Sequence, residues 1–149
     1  MFCKLNKLSY DNIMVHKKNK YWCGCPIRFT MKHFGDKWSF LVVRDMMFKG
    51  KKYYNEFLEA GEGISTNILA SRLRDLEKHG VISKIRDPEK KSKVLYSLTS
   101  KGKELIPVML AMIEWGSKHD PNTEAPQEFI ENLRNNPEKI RQDILKRLE

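Results

Sequence analysis

The three cysteines, Cys3, Cys23 and Cys25, are the most reactive side chains in the sequence. A thiol gains reactivity where a helix N-terminus or a nearby cation stabilises its thiolate form. Cys25 stands at the start of a helical pattern, and the cation Arg28 follows within one turn. We therefore predict that Cys25 is open to oxidation and is a candidate redox sensor. An unreactive, partly buried thiol is the alternative that the sequence leaves open.

A metal site and an enzyme active site both lack their usual sequence signatures. Cys23 and Cys25, with His16 and His33, offer thiol and imidazole ligands, but C-x-C beside isolated histidines differs from the paired C-x₂-C spacing of zinc sites. The sequence contains none of the motifs G-x-S-x-G, G-x-x-x-x-G-K-[ST], H-E-x-x-H and G-x-G-x-x-G. We therefore expect no metal, no cofactor, no catalytic residues and no enzyme activity.

A helical segment over residues 65–80 offers a different chemistry, which is hydrogen bonding to bases. Its leucines form one apolar stripe at helical spacing, at Leu69, Leu73 and Leu76. The side chains left on the other face are Ser65, Thr66, Asn67, Ala70, Ser71 and Arg74. Asparagine pairs with adenine and arginine with guanine through two hydrogen bonds each, while alanine and the threonine methyl contact the thymine methyl. We predict that this face reads a DNA major groove, with Ser65 near a phosphate.

Two short helices and a turn are needed to position this face. Residues 53–60 predict the first helix, and Gly61-Glu62-Gly63 predicts the turn. Ser65 is a favourable N-cap for the second helix, and Gly80 is a favourable stop. This order is typical of a helix-turn-helix, whose second helix enters the major groove.

A β-hairpin is predicted next, because the hydrophobic period changes to two over residues 81–85 and 94–98. The connection between the strands carries the cations Arg86, Lys90, Lys91 and Lys93. Cations at a hairpin tip suit contacts with phosphates or with an adjacent minor groove. We therefore predict a DNA-binding wing, and a solvated turn without a partner is the alternative.

The segment after the hairpin predicts a helix that Thr99 caps and Pro107 kinks. One side of this helix carries Val108, Met109, Met112 and Trp115. These residues offer more apolar surface than a small wing domain can cover alone, which indicates a dimer interface. Burial within the same chain is the alternative for each of them.

The remaining segments frame this central region. Apolar residues at three- and four-residue steps predict a helix over residues 27–48, with close packing or a break at Gly35. Residues 120–126 predict a linker, and Asn136-Pro137 predicts the start of a last helix.

The charge of the chain favours a polyanionic partner. Lys+Arg 28 against Asp+Glu 19 gives a net charge of +9, which favours nucleic acid first and an anionic membrane surface second. The most apolar run, residues 38–43, is much shorter than a membrane span, and charges interrupt any apolar signal segment near the N-terminus. We expect a cytoplasmic protein that makes no membrane contact.

Together these segments resemble the HxlR-type winged helix-turn-helix transcriptional regulators of the MarR-like superfamily, over residues 25–116. The segments that carry the resemblance are Cys25-Pro26, Gly35 to Trp38 for G-x-K-W, Tyr54 to Phe57 for R-F-N-E-L, Gly63-Ile64-Ser65 with the three leucines, Tyr96 to Gly102 for Y-x-L-T-x-x-G, Pro107, and Trp115-Gly116. The resemblance implies DNA-binding homodimers that join through the first helix and the helix after the wing. It also implies a cysteine before proline that senses oxidants in some relatives. Tyr53 stands where the family has arginine, so a phosphate contact there is not expected to carry over.

The sequence thus predicts a mainly α fold with a small β-hairpin wing, a dimeric winged helix-turn-helix of the α+β class. We divide it into a basic leader (residues 1–24), a DNA-binding and dimerisation domain (25–118), and a linker with a helical tail (119–149). The expected partners are double-stranded DNA and a second copy of the chain. Whether an oxidant or a small molecule acts as a signal is left open by the sequence. A winged-helix module that binds protein instead of DNA is the alternative function. The tail is either a dimer clasp or a loosely docked segment.

Overall fold

A computed structural model describes residues 25–149, which belong to two units with a boundary between Lys37 and Trp38. In the first unit, helix α1 spans Pro26–Phe34 and Cys25 is its N-cap residue. A Cβ atom at Gly35 would collide with the carbonyl oxygen of Met31, so only glycine fits where α1 ends. The helix expected over residues 27–48 is therefore two helices, and the interruption at Gly35 is one of the two outcomes that the sequence left open.

The second unit holds seven helices and one hairpin among the described residues. In chain order they are α2 (Lys37–Phe48), α3 (Tyr54–Leu58), α4 (Thr66–Lys78), β1 (Ile82–Arg86), β2 (Val94–Leu98), α5 (Ser100–Lys103), α6 (Ile106–His119), α7 (Gln127–Asn135) and α8 (Pro137–Arg147). The mainly helical fold with a two-stranded hairpin after a helix-turn-helix is confirmed. No helix in residues 25–149 is long and apolar enough to cross a membrane.

The hairpin is antiparallel, with Ile82 opposite Leu98 and Arg86 opposite Val94. A short segment before α3 joins its edge, because Tyr96 N donates to the carbonyl oxygen of Lys52 at 2.8 Å. The connection that leads into α3 is thus hydrogen-bonded to the wing strand β2.

The core of the second unit lies beneath α4. The predicted leucine stripe is confirmed, since Leu69, Leu73 and Leu76 are all buried. Phe57 on α3 and Val43 on α2 are buried as well. Burial of each such side chain contributes about 1.5–3 kcal/mol, so α4 is held to its neighbours by one face while the other stays open.

The helix after the hairpin differs from the expectation of one kinked helix. Thr99 caps α5 as predicted, accepting a hydrogen bond from Gly102 N at 3.1 Å. Glu104 and Leu105 separate α5 from the next helix, although both keep right-handed helical backbone angles, and α6 begins at Ile106 with Pro107 in its first turn. The interruption is therefore a break between two helices and not a kink within one. It lies where Pro107 has no amide to donate to the carbonyl of Lys103, the last residue of α5.

The C-terminal segment packs against its own chain. The predicted last helix is confirmed as α8, where Asn136 Oδ1 accepts from Lys139 N at 3.2 Å. The sequence interpretation missed α7. Helices α7 and α8 pack on each other and on α6, and they bury Ile130, Leu133 and Ile144. The tail is therefore part of the hydrophobic core and not a loosely docked segment.

Candidate nucleic-acid interface

The turn before α4 fixes where this helix begins. Gly61 and Gly63 adopt φ angles of 84° and 71°, in the left-handed region that favours glycine. Between the turn and the helix, Ile64 is buried and anchors the chain. Ser65 then accepts a hydrogen bond from Ile68 N at 3.4 Å, as predicted for its N-cap role. At the other end, Gly80 has a φ of 68° and stops the helix.

A second contact, which the sequence interpretation missed, ties α3 to the start of α4. The hydroxyl of Tyr54 donates to the carbonyl oxygen of Thr66 at 2.8 Å. This bond crosses the turn, so Tyr54 positions the first turn of α4 relative to α3. No local pattern indicates such a bond, because it depends on how the two helices meet.

The face of α4 opposite the leucines is open to solvent at its N-terminal end. Ser65, Thr66, Asn67 and Arg74 are exposed, while Ala70 and Ser71 are half-buried. The hydroxyl of Ser71 accepts a hydrogen bond from Arg72 at 3.2 Å. The predicted set therefore lies together on one surface of α4, and the Ser71 hydroxyl keeps its own proton as a donor.

The tip of the hairpin is an ordered turn built around the buried carboxylate of Asp87, which is 4% exposed. Its Oδ1 accepts from Glu89 N at 2.8 Å and from Lys90 N at 3.0 Å. The backbone nitrogen of Asp87 donates to the carbonyl oxygen of Lys93 at 3.0 Å. The second carboxylate oxygen, Oδ2, accepts from the hydroxyl of Tyr53.

The cations of the tip divide into two pairs. Lys90 and Lys93 lie over the ring of Tyr53, with Nζ 5.8 Å and 5.3 Å from its centroid, within range of a cation–π attraction. Arg86 and Lys91 are exposed. All four cations predicted for the wing are therefore exposed at one end of the hairpin, and Tyr53 orients two of them.

The hydrogen bond between Tyr53 and Asp87 changes the acidity of both groups. It raises the pKa of Tyr53 to about 12 and lowers the pKa of Asp87, because it favours the phenol beside an ionised carboxylate. Asp87 thus stays charged at neutral pH. The sequence interpretation treated Tyr53 only as a departure from the family pattern, whereas the structure gives it a contact at the base of the wing tip.

The predicted apolar surface of α6 is partly a core face. Met109 is 6% exposed and packs inside the chain, which is the alternative that the sequence left open for it. Val108, Met112 and Trp115 are 40%, 49% and 69% exposed. Three of the four residues thus remain at the surface.

Cys25 lies at the N-terminus of α1 and is half-exposed, with a free thiol. His33 is in the last turn of the same helix. The other residues considered for thiol or metal chemistry, Cys3, Cys23 and His16, lie outside the described residues. From Cys25 onward, no three or more His, Cys, Asp or Glu side chains are grouped as a metal would require.

Curated relatives of the chain are named as transcriptional regulators. The HTH-type transcriptional regulator sll1512 of Synechocystis sp. is 44% identical over 93 residues, which cover 62% of this chain and 68% of that protein. The HTH-type transcriptional regulator YybR of Bacillus subtilis is 36% identical over 125 residues, which cover 83% of this chain and 94% of that protein.

Solved structures of two named regulators are similar to this chain. The redox regulator HypR in its oxidized form is 37% identical, with a TM-score of 0.55, and the match covers 63% of this chain and 96% of that one. The reduced form of the transcriptional regulator YodB from B. subtilis is 30% identical, with a TM-score of 0.56, and the match covers 67% of this chain and 98% of that one.

The sequence itself matches a family directly. The HxlR-like helix-turn-helix pattern extends over residues 33–124, more than half of the chain. It includes the helix-turn-helix, the hairpin and α6. The chain therefore belongs to the HxlR-like helix-turn-helix family.

Proposed function

We propose that this protein is a DNA-binding transcriptional regulator that reads bases with α4 and holds phosphates with the tip of the hairpin. One observation carries the proposal: the exposed polar end of α4 and an ordered tip with four cations follow each other in one compact unit. An α-helix fits the major groove, and cations flanking it supply the phosphate contacts. The naming of the relatives as regulators supports the same function, and it supports the expectation of no enzyme activity.

Different residues have different tasks in this proposal. Asn67 and Arg74 are exposed on α4 and suit adenine and guanine, respectively. Thr66 adds a methyl group for thymine, and Ser65 lies at the helix N-terminus, where phosphate oxygens are favoured. Lys91 is exposed at the hairpin tip, and its role is the sequence-independent one of a phosphate contact.

We also propose that the regulator is a homodimer that uses the exposed face of α6. Val108, Met112 and Trp115 leave an apolar face on a helix that packs its other side against α7 and α8. Ile27 and Met31 on α1 are exposed apolar residues as well. A two-fold dimer places two copies of α4 about 34 Å apart, or a multiple of it, on a pseudo-palindromic site.

The test of this function is a selection of bound duplexes from a random-sequence pool with the purified full chain. The proposal predicts enrichment of a pseudo-palindrome whose half-sites are spaced by whole helical turns. A folded protein that enriches no sequence would refute it and would favour the winged-helix module that binds protein. Sedimentation of the same sample checks the dimer, and Trp115→Glu is the variant that should shift it to monomer.

Thiol sensing is a finer part of the proposal and has its own test. Its support is the half-exposed thiol of Cys25 at a helix N-terminus, together with the relative described as the redox regulator HypR. The selected duplex is titrated with reduced and with diamide-treated protein, as wild type and as Cys25→Ser. Loss of affinity on oxidation in the wild type alone supports sensing by Cys25. An equal response of both proteins, or of neither, would refute it.

A further inference from the structure

A cleft of about 550 Å³ opens between the end of α2, the wing strand β2 and the end of α8. It is lined by residues 46–52, 96–98 and 147–149, all of which belong to the second compact unit. Its volume falls in the range of about 300–1,000 Å³ that is typical of small-molecule sites. Neither the base-reading face of α4 nor the exposed face of α6 contributes to it.

Apolar side chains form one part of the cleft lining. Met46 and Met47 are buried beneath it, and Phe48, Leu98 and Leu148 are half-buried along it. Methionine side chains are flexible and adapt to the shape of what they contact. The cleft therefore suits the apolar body of a small molecule, such as an aromatic ring.

The rim of the cleft is cationic. Lys49 and Lys51 lie on it and are held by the buried Asp45, at 3.2 Å and 3.5 Å from its oxygens. Lys52 and Arg147 complete the rim, and within residues 25–149 no carboxylate lies within ion-pair distance of either side chain. Glu149 carries the only acidic side chain among the described residues that line the cleft. The net charge of the rim is thus positive, and the side chains of Lys52 and Arg147 are available to an anion.

We propose that this cleft binds a small organic anion with an apolar body, a carboxylate or a phosphate monoester on a ring or a short chain. The apolar body lies against Leu98 and Leu148, and the anionic group lies between Lys52 and Arg147. The two leucines match the apolar half of such a ligand, where burial supplies affinity. The two cations match its anionic half, where a charged pair fixes the orientation.

The C-terminal helix makes this site a feature of this chain and not of the shared family pattern. The family match ends at residue 124, whereas the wall that carries Arg147 and Leu148 lies in and just after α8. Packing of α7 and α8 on α6 brings that wall to the end of α2 and to strand β2. The tail thereby has a task that the sequence alone did not indicate.

The cleft also lies next to the hairpin, which links it to the proposed function. The carbonyl oxygen of Lys52 accepts from Tyr96 N on β2, and the next residue, Tyr53, donates to Asp87 at the tip. A ligand held by Lys52 therefore contacts the segment that positions Lys90 and Lys93. Through this contact the ligand would regulate DNA binding. That regulation rests on the proposed function, whereas the binding site itself does not.

The test is a titration of the ¹⁵N-labelled full chain, without DNA, with 2-naphthoate and 2-naphthyl phosphate, followed by amide chemical shifts. The neutral 2-naphthamide has the same rings without the negative charge and is the matched control ligand. The proposal predicts saturable shifts at Gly50, Lys52, Ser97 and Leu148 for at least one anion, and binding of the amide at least fivefold weaker.

The matched variants are Arg147→Ala and Lys146→Ala. Both remove one positive charge from an exposed residue at the end of α8, but only Arg147 lines the cleft. Loss of a charged hydrogen bond predicts binding of the anion at least about tenfold weaker in Arg147→Ala, and unchanged in Lys146→Ala. Absence of saturable shifts at the cleft with both anions, or equal binding by the two variants, would overturn the proposal. Since no DNA is present, either failure leaves the proposed function standing.

Discussion

Replacing Asp45 by asparagine tests the buried charge that holds Arg44, the residue that joins α2 to the turn before α4. Asp45 is 2% exposed, and its Oδ1 accepts from Nη2 of Arg44 at 2.6 Å and from Nε at 2.8 Å. Arg44 in turn pairs with Glu62 in that turn at 2.8 Å. The ammonium groups of Lys49 and Lys51 lie at 3.2 Å and 3.5 Å from the Asp45 carboxylate.

The size of the effect follows from these contacts. A hydrogen bond to a charged group contributes about 1.5–3 kcal/mol, and the two longer, more exposed ammonium contacts add about 0.2–1 kcal/mol each. Asparagine keeps one acceptor, and water reaches the partly exposed cations, so part of this sum is recovered. We expect Asp45→Asn to lower the free energy of unfolding by about 2–3 kcal/mol.

The assay is urea unfolding at one fixed protein concentration, because the stability of the proposed dimer would depend on concentration. Asp143→Asn on α8 is the matched control, an exposed aspartate changed in the same way, and its effect should lie within about 0.5 kcal/mol. Equal, small effects of the two substitutions would refute the reasoning, because they would show that the Asp45 charge contributes no net stability.

Three further predictions concern DNA binding and the wing. Arg74→Ala should cost about 1–3 kcal/mol on the selected duplex and much less on random duplex, and equal losses in anisotropy titrations would exclude base reading by this residue. Lys91→Ala should weaken all duplexes alike and lower the slope of log Kd against log salt by about one, so an unchanged slope would exclude a phosphate contact. Tyr53→Phe removes the bond that raises the pKa of Tyr53 to about 12 and lowers the pKa of Asp87. That bond stabilises the fold above the unfolded pKa of aspartate and below that of tyrosine, about 4 and 10, and the stabilisation is lost as pH falls through the lowered pKa or rises through the raised one. The stability difference between wild type and Tyr53→Phe, measured by urea unfolding, should therefore be constant from about pH 5 to pH 9 and shrink above about pH 10, and a difference that varies within the plateau would count against the bond.

Most of the helix-turn-helix could be predicted from the sequence because its determinants are local. The leucine stripe from Leu69 to Leu76 has a helical period, Ser65 caps the helix, and Gly80 ends it. Each of these signals acts within one or two turns of chain. The cations of the hairpin tip were equally visible, since they stand between two strand patterns.

What the sequence did not indicate depends on contacts between distant residues. Tyr53 and Asp87 are 34 positions apart, and only the folded hairpin brings them together. On α6 nearly every position around Met109 is apolar, so the pattern alone does not separate the buried face from the exposed one. Helix α7 did leave a local signal, since Ile130 and Leu133 stand three residues apart, a spacing that favours a helix with one apolar face.

Methylation protection on the selected duplex tests the central claim, that α4 lies in the major groove and reads bases there. Dimethyl sulfate modifies guanine N7 in the major groove and adenine N3 in the minor groove, so it reports which groove the protein occupies. We predict that the wild-type protein protects guanine N7 in both half-sites, and that Arg74→Ala, at saturating concentration, loses protection at one guanine in each. Protection confined to adenine N3, or an identical pattern for both proteins, would contradict the account.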